Sequence, residues 1–350
     1  MAMNSSNIPE ETFSLRLDIF PLSLYLLVHG AVIFLTLVGN YVVVTTVVKD
    51  RLTQTPNNIF LCSLAVTDFL TGLTAVPAAM FARIVISRVT CLAGVRPFFF
   101  APAFIFCAIS MGHLIVLTVD RLIAVSSPLK YPLIMTKSKC KIILASIWIL
   151  GFGFGTMPAI GGLKYPNQWV CGNVPYKSGT VALHSLLAAG FTPTISAILL
   201  CGYARIFMIA QRHLKEVSKR RRTGMDEEKV RNLESKSRMK ATVTAVLVVL
   251  IFSICWLPMS IKLVIDVLYD PPEDVQFIYQ TVVEFMAYCN SAINPILYAL
   301  RNKKYRDSFK VALCICCPFV LKSEKKEKGG TSQVVSSKTT SISNTSSIRG

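Results

Sequence analysis

Seven apolar stretches, each long enough to cross a lipid bilayer, constrain this chain more than any other feature of its sequence. A helix needs about 20 mostly apolar residues to cross a hydrocarbon core of roughly 30 Å. The stretches lie near residues 21–48, 59–85, 93–125, 142–163, 181–211, 239–269 and 277–300. Because lipid cannot hydrogen-bond to exposed backbone groups, each stretch is expected to be helical. The sequence therefore predicts an all-α membrane protein built as a seven-transmembrane helix bundle.

The composition of the chain supports this class of protein. Hydrophobic residues make up 53% of the 350 residues and charged residues only 16%, which is difficult to reconcile with a water-soluble domain. The sequence contains no nucleophile elbow, no cluster of metal ligands and no phosphate-binding loop. No enzymatic activity is therefore predicted.

The distribution of lysine and arginine predicts how the chain is oriented. Residues 212–240 carry eleven of these basic residues, whereas 164–180 carries only Lys164 and Lys177. Loops rich in basic residues stay in the cytoplasm, so the amino terminus is expected outside the cell and the protein in the plasma membrane. Most of the net charge of +18 lies next to membrane ends. This placement favours contact with anionic lipid and a cytosolic protein over nucleic acid.

Four regions follow from these patterns. Residues 1–20 are predicted to be an extracellular tail, 21–301 the helix bundle, 302–317 a short amphipathic eighth helix with a cysteine cluster, and 318–350 a disordered cytoplasmic tail. Asn4 begins an N-glycosylation sequon, and its use is left open.

The cysteine cluster predicts lipid attachment. Cys314, Cys316 and Cys317 follow a basic amphipathic segment, as acylated cysteines beside an interfacial helix do. Free cytosolic thiols are the alternative.

Short motifs recur where the apolar stretches carry polar residues, which are costly in lipid and so are candidates for function. The motifs are Gly39-Asn40, Leu64-Ala65-Val66-Thr67-Asp68, Asp120-Arg121-Leu122, Cys255-Trp256-Leu257-Pro258 and Asn294-Pro295-Ile296-Leu297-Tyr298. Over about residues 21–318 this set resembles the class A (rhodopsin-like) G-protein-coupled receptors. The resemblance implies an extracellular ligand, a heterotrimeric G protein, a receptor kinase and arrestin as partners.

The resemblance also implies roles for individual residues. A switch that couples to the G protein is expected at Asp120, Arg121, Tyr203, Asn294, Pro295 and Tyr298. An activation core is expected at Phe252, Trp256 and Pro258. In many relatives the switch arginine also pairs with an acidic residue at the start of the sixth stretch, but Arg238 occupies that position here. We therefore expect a loosely held resting state and substantial signalling without ligand.

Asp68 predicts an ion site within the bundle. It is the carboxylate in the interior of the second stretch, and an ionised carboxylate in a low dielectric needs a counter-charge or a proton. The resemblance implies an allosteric sodium pocket, with Asn40 close by, formed by Asp68, Ser110, Asn290, Ser291 and Asn294. A hydrogen-bonded polar network without an ion is the alternative.

The end of the fifth stretch, from Tyr203 to Phe207, most resembles the adenosine, melanocortin and cannabinoid branch of the family. Several members of that branch lack a proline that other receptors have, and this chain has Ile195 there, with Pro193 two residues away. The branch favours an adenosine-like or lipid-like small molecule as ligand.

The predicted ligand pocket is defined partly by what it lacks. Amine receptors of the family need a carboxylate where this chain has Ala103, and light receptors need a lysine where it has Tyr288. Adenosine receptors use an asparagine where it has Leu263. The expected pocket residues are Ala103, Phe104, Cys107, Met259, Ser260, Leu263, Glu284 and Tyr288. Glu284 is expected either to anchor a cation or to pair with Lys262.

Two further expectations rest on the resemblance. It implies a disulfide between Cys91 and Cys171, although Cys91 stands 30 residues before Arg121, about five more than is usual in the family. The rival functions are a secondary transporter and a receptor-like scaffold that does not signal. The chain shows no internal repeat of its motifs, whereas transporters commonly contain paired repeats.

Overall fold

The computed structural model describes residues 19–49, 55–83, 96–164, 179–220, 227–269 and 273–316. Nearly all of these residues are helical, and none of them lies in a β-strand. In chain order the long helices are Ile19–Lys49, Pro56–Phe81 (with an internal change of pitch), Arg96–Ser126, Lys137–Lys164, Gly179–Arg220, Glu227–Leu268 and Glu273–Arg301. They are called the first to seventh spans below. A four-residue helix, Tyr131–Ile134, joins the third and fourth spans, and Lys303–Cys316 follows the seventh.

The seventh span differs from the other six in composition. Among the described residues, the first six spans are long and apolar enough to cross a membrane. The seventh carries Glu284, Asn290 and Asn294, which lower its mean hydropathy. All three side chains are buried in the bundle, so the span still presents an apolar surface outward. The predicted all-α seven-helix architecture is confirmed.

The two ends of the bundle are called upper and lower according to the direction of the first span. That span begins at the upper end, with Ile19, and finishes at the lower end, with Lys49. Spans alternate in direction, so the second span finishes and the seventh begins at the upper end. One apolar cluster in the lower half brings together Val43, Leu114, Ile206, Val249 and Leu297 from five spans.

The second span contains a short change of helical pitch. It begins with Thr55, whose side chain accepts a hydrogen bond from the backbone N–H of Asn58, and with Pro56 in the first turn. Residues Thr71–Ala75 then form a π-helical segment. Pro77 starts the following α-helical turn, and it has no N–H for the backbone ladder. This segment lies one turn above Asp68 and directs the side chains beyond it.

Close packing of the third and fourth spans depends on small residues. A Cβ built on Gly155 would lie 2.3 Å from the Cα and 2.5 Å from the backbone N of Ile105. Real Cβ atoms do not approach backbone so closely, so only glycine permits this crossing. Gly153, two residues earlier in the same span, has nothing within 4 Å of the same built atom.

Several predicted modification sites lie outside the described residues. These are Asn4, Cys91, Cys171 and Cys317, together with the tail 318–350. Cys314 and Cys316 belong to the last helix, but their side chains are outside the description. The disulfide, glycosylation and acylation therefore stay predictions.

Replacing Gly155 by Val is expected to destabilise the bundle, because the added side chain would force the third and fourth spans apart. Overpacking of this kind costs about 1–3 kcal/mol, which lowers the melting temperature by about 5 °C. Thermal unfolding of the detergent-solubilised protein measures the effect. Gly153→Val is the matched control and should melt as the parent does; equal melting of the two variants would contradict the packing argument.

Candidate functional site

At the lower end, Asp120 is held by two partners. Its side chain is fully buried, and Oδ2 accepts hydrogen bonds from Arg121 Nη2 at 2.6 Å and Nε at 3.1 Å. The other oxygen, Oδ1, accepts a 2.7 Å hydrogen bond from the hydroxyl of Tyr131. Both oxygens of the carboxylate are therefore used, and Arg121 is drawn toward its own helix.

Tyr131 was not among the residues predicted from the sequence. It lies in the short helix between the third and fourth spans. Burial first, and then the hydrogen bond to Asp120 and the charge of that carboxylate, raise the pKa of the Tyr131 hydroxyl above its usual range. The hydroxyl therefore remains a neutral donor, as the bond to Asp120 requires.

The aromatic residues predicted for the switch lie in the same half of the bundle. Tyr203 and Tyr298 are both buried in the lower apolar cluster. The ring of Tyr298 lies 6.0 Å from that of Tyr305, in the last helix. Burial raises the pKa of Tyr305 to about 12, so this residue also stays neutral. Above them, the rings of Phe252 and Trp256 are 6.0 Å apart.

Midway along the bundle, the fully buried carboxylate of Asp68 joins the second and seventh spans. Oδ1 accepts a 2.7 Å hydrogen bond from Ser291, and Oδ2 accepts a 2.8 Å bond from the amide of Asn294. Asn40 donates to the backbone carbonyls of Thr36 and Ser291 at 2.9 and 3.0 Å. The structure thus brings together three of the residues predicted around Asp68.

A small cavity lies directly above this network. It is lined by Thr71, Ala103, Phe106, Cys107, Ser110, Trp256, Ala287, Tyr288, Asn290 and Ser291. Some of these residues were predicted for the ligand pocket and others for the sodium pocket, so one cavity connects the two. Asn290 Oδ1 and Asn294 Oδ1 are buried without a hydrogen-bond partner among the described residues.

This arrangement of oxygens suits a hard cation. Sodium prefers oxygen ligands, as calcium and magnesium do, and the network offers the carboxylate of Asp68 and the two unpartnered amide oxygens. Ser110 reaches the same cavity. The residues present therefore fit an ion at this level of the bundle.

A second polar network, missed by the sequence analysis, joins the second, third and fourth spans. His113 is fully buried, with Nδ1 2.8 Å from the carbonyl oxygen of Ile109 and Nε2 2.8 Å from Ser63 Oγ. A carbonyl only accepts, so Nδ1 carries the proton. In the neutral ring Nε2 is an acceptor, so the Ser63 hydroxyl donates to it and itself accepts a 3.1 Å bond from Trp148 Nε1. A single arrangement of protons therefore gives His113, Ser63 and Trp148 their hydrogen-bond partners.

At the upper end, Glu284 pairs with Arg83, a partner that neither of the two expectations for Glu284 included. Arg83 Nη2 lies 2.9 Å from Glu284 Oε2, and Nη1 donates to Thr281 at 2.7 Å. The side chain of Gln280 donates to the other oxygen of Glu284. The side chains of Arg83 and Glu284 are only 11% and 5% exposed, so the pair is enclosed by the bundle.

Lys262 forms an ion pair one helical turn along its own span, with Asp266. Both side chains are buried. Of the other predicted pocket residues, Ser260 is buried and Met259 and Leu263 are half-buried. Phe104 is 40% exposed and does not line the cavity described above.

The family of the chain follows from a match that covers most of the bundle. Residues 39–298, which include Asp68, Asp120 and Asn294, match the family described as 7 transmembrane receptor (rhodopsin family). The chain belongs to this family. It is therefore a G-protein-coupled receptor and not an enzyme, as the motifs predicted.

Individual relatives of the receptor bind different ligands. The alpha-1A adrenergic receptor of Oryzias latipes is 31% identical over 326 residues, covering 83% of this chain and 67% of the relative. The adenosine receptor A2b of Mus musculus is 28% identical, with 91% and 97% covered. The histamine H2 receptor of Cavia porcellus is 29% identical, with 81% and 77% covered. Receptors for amines and for adenosine are thus about equally similar, and identity alone does not assign a ligand.

Replacing Tyr131 by Phe is expected to raise signalling in the absence of ligand. The change removes a hydrogen bond to the buried carboxylate that holds Arg121. Such a bond to a charged group contributes about 1.5 kcal/mol, which corresponds to roughly a tenfold change in the balance between resting and active states. Second-messenger output at matched surface expression is the measurement. Tyr41→Phe, on the exposed face of the first span, is the control, and output equal to that control would argue against the role of Tyr131.

Proposed function

We propose that the receptor converts binding of an extracellular ligand at its upper end into opening of its lower end toward a heterotrimeric G protein. The observation that carries the proposal is the cavity shared by Trp256 and the residues around Asp68. A ligand that moved Trp256 would act on a cavity whose other wall ties the second span to the seventh. The free energy for the change comes from different ligand affinities for two states.

The proposed orientation places the upper end outside the cell and the receptor in the plasma membrane. It is supported by the basic segment 212–240, which joins the fifth and sixth spans at the lower end. Positively charged loops of this kind remain cytoplasmic. The amino-terminal tail 1–20 would then be extracellular, with Asn4 available for glycosylation, and Cys91 and Cys171 in an environment that permits a disulfide.

The lower end offers an apolar surface for a protein partner. Leu129, just before the short helix that contains Tyr131, and Leu133, within that helix, are 93% and 76% exposed. Large apolar side chains exposed in a loop next to the membrane commonly mark protein contacts. Lys130 between them and Arg121 nearby favour an acidic partner. We propose that the G protein, and later a receptor kinase and arrestin, contact this surface.

The last helix is proposed to lie along the membrane surface. It carries exposed Lys303, Lys304 and Arg306 together with Tyr305 buried against the seventh span. Basic residues at this level attract anionic lipid. Acyl groups on Cys314, Cys316 and Cys317 would add a second anchor, and the region 318–350 is proposed to be a disordered cytoplasmic tail.

The residues of the predicted pocket limit the classes of ligand that it is expected to bind. Ala103 supplies no carboxylate for an ammonium group at its position, so biogenic amines remain disfavoured even though adrenergic and histamine receptors are among the relatives. The proposed ligand is an adenosine-like or lipid-like small molecule. An adenosine receptor among the relatives supports the first class, whereas Leu263 stands where adenosine receptors use an asparagine. A secondary transporter or a receptor-like scaffold that does not signal would produce no second-messenger output. The signal measured in the next experiment therefore separates these alternatives from a receptor.

Replacing Arg121 by Ala is expected to abolish signalling without ligand, because the guanidinium released from Asp120 is the proposed contact for the G protein. Arg238→Glu should supply the acidic residue that the family resemblance implies at this position and lower the same signal by several fold, since an opposite charge paired with Arg121 would stabilise the resting state. Cyclic AMP and calcium in cells expressing each variant at matched surface levels are the readouts. A signal that survives Arg121→Ala would argue against this coupling switch, and an unchanged signal in Arg238→Glu would argue against the missing-partner hypothesis.

Replacing Asp68 by Asn is expected to remove a dependence of stability on sodium. Binding to the folded state alone stabilises it by an amount that grows with ligand concentration, so the purified parent should melt a few degrees higher in NaCl than in KCl at equal ionic strength. The variant should melt alike in both salts. An equal sodium effect in parent and variant would favour the alternative, a polar network that binds no ion.

A further inference from the structure

Two neighbouring tyrosine hydroxyls are buried at the lower end without a hydrogen-bond partner. They belong to Tyr298 of the seventh span and Tyr305 of the last helix, whose side chains are 2% and 4% exposed. No described residue donates to either hydroxyl oxygen or accepts from it. A buried polar atom is rarely left unpaired in a native structure. Both hydroxyls therefore need an explanation, and that of Tyr305 has no place yet in the coupling switch.

The surroundings of Tyr305 are apolar. The last helix packs against the first and seventh spans. Tyr305 belongs to the lower apolar cluster together with Val43 and Val47 of the first span, and Phe309, one turn further along the last helix, packs against the same cluster. A phenylalanine ring would fill this place as well as a tyrosine ring does. The hydroxyl is thus a polar atom that the packing does not require.

The last helix is joined to the seventh span by a short connection. Asn302 is the single residue between the two helices. Its backbone N–H donates to the carbonyl oxygen of Tyr298 at 2.9 Å, and its carbonyl oxygen accepts from the N–H of Arg306 at 3.1 Å. Its side-chain oxygen accepts from the N–H of Lys304 at 3.0 Å. A displacement of the lower end of the seventh span is therefore passed on to Tyr305.

The unpaired hydroxyl makes the closed arrangement of the lower end, in which Asp120 holds Arg121, less favourable. An opening of the lower end toward a G protein brings water to this level, and water is nearly as good a hydrogen-bond partner as a protein group. A group that is unpaired in one state and paired in another shifts the equilibrium toward the second state. The Tyr305 hydroxyl therefore favours the open arrangement.

We propose that Tyr305 is a further positioning residue of the coupling switch, whose buried hydroxyl opposes the closed arrangement and gains water as a partner when the seventh span moves. The last helix thereby raises the signal that the receptor gives without ligand. The inference rests on the proposed function, because it assumes that the lower end opens toward a G protein.

The first experiment measures stability without a G protein. Tyr305→Phe keeps the ring and removes the unpaired hydroxyl, so the purified full-length receptor without ligand should melt about 2 °C higher than the parent. Tyr305→Leu also removes the ring and should melt lower. Tyr41→Phe makes the same chemical change on the exposed face of the first span and should melt as the parent does. A Tyr305→Phe receptor that melts at or below the parent temperature overturns the inference, since its hydroxyl would then cost the closed arrangement nothing.

The second experiment measures the signal without ligand. At matched surface expression, Tyr305→Phe should lower cyclic AMP or calcium output at least threefold, whereas Tyr41→Phe should not change it. A hydroxyl with a role in folding alone would alter the melting temperature and leave this signal unchanged. Output from Tyr305→Phe that equals or exceeds that of the parent overturns the inference.

The Arg121→Ala receptor separates the two possible failures. A parent that signals no more than Arg121→Ala would contradict the proposed function, and the inference would fall with it. A parent that signals well above Arg121→Ala, with Tyr305→Phe at the parent level, would contradict the role of Tyr305 alone.

Discussion

The buried carboxylate of Asp68 is the constraint on which the arrangement of the spans depends. An ionised carboxylate in a dry interior is costly unless hydrogen bonds or a counter-charge compensate. Its donors, Ser291 and Asn294, lie 223 and 226 residues away in the chain, so the seventh span must lie against the second. Asn40 then ties the first span to the backbone of Ser291. The hydrogen bonds that surround the carboxylate of Asp68 therefore also hold the first, second and seventh spans together.

Buried charge occurs at three levels of the bundle, and at each level it is compensated locally. Arg83 pairs with Glu284 at the upper end, amide and hydroxyl donors surround Asp68 in the middle, and Asp120 holds Arg121 below. Each charge needs a partner in every state, because an unpaired buried charge is costly; the upper and middle contacts change when the second and seventh spans move apart, and Arg121 leaves Asp120 only when another partner replaces it. A state of the receptor is thus defined by which partners are engaged, and a ligand or protein that supplies a new partner selects among states.

Much of the fold and part of the site could be predicted from the sequence. Apolar length fixed the spans, and the motifs around Asp68, Asp120 and Asn294 identified residues that the structure brings together. The role of Arg83 was not predicted, because a change of helical pitch separates this residue from Asp68. The role of Tyr131 was not predicted either, because its position depends on a loop that has no regular sequence pattern. The Lys262 and Asp266 pair carried a signal, since opposite charges four residues apart face each other on a helix, yet Lys262 was considered only as a partner of Glu284.

The π-helical segment Thr71–Ala75 changes the rotation, about the helix axis, of the residues that follow it relative to those that precede it. Each residue of an α-helix turns the chain by about 100°, and a π-turn accommodates one additional residue without breaking the helix. Asp68 below the segment and Arg83 above it both face partners on the seventh span, and the change of pitch between them contributes to this register. Evolution of a related receptor could change which side chain faces Glu284 by gaining or losing a single residue here, leaving the centre of the bundle intact.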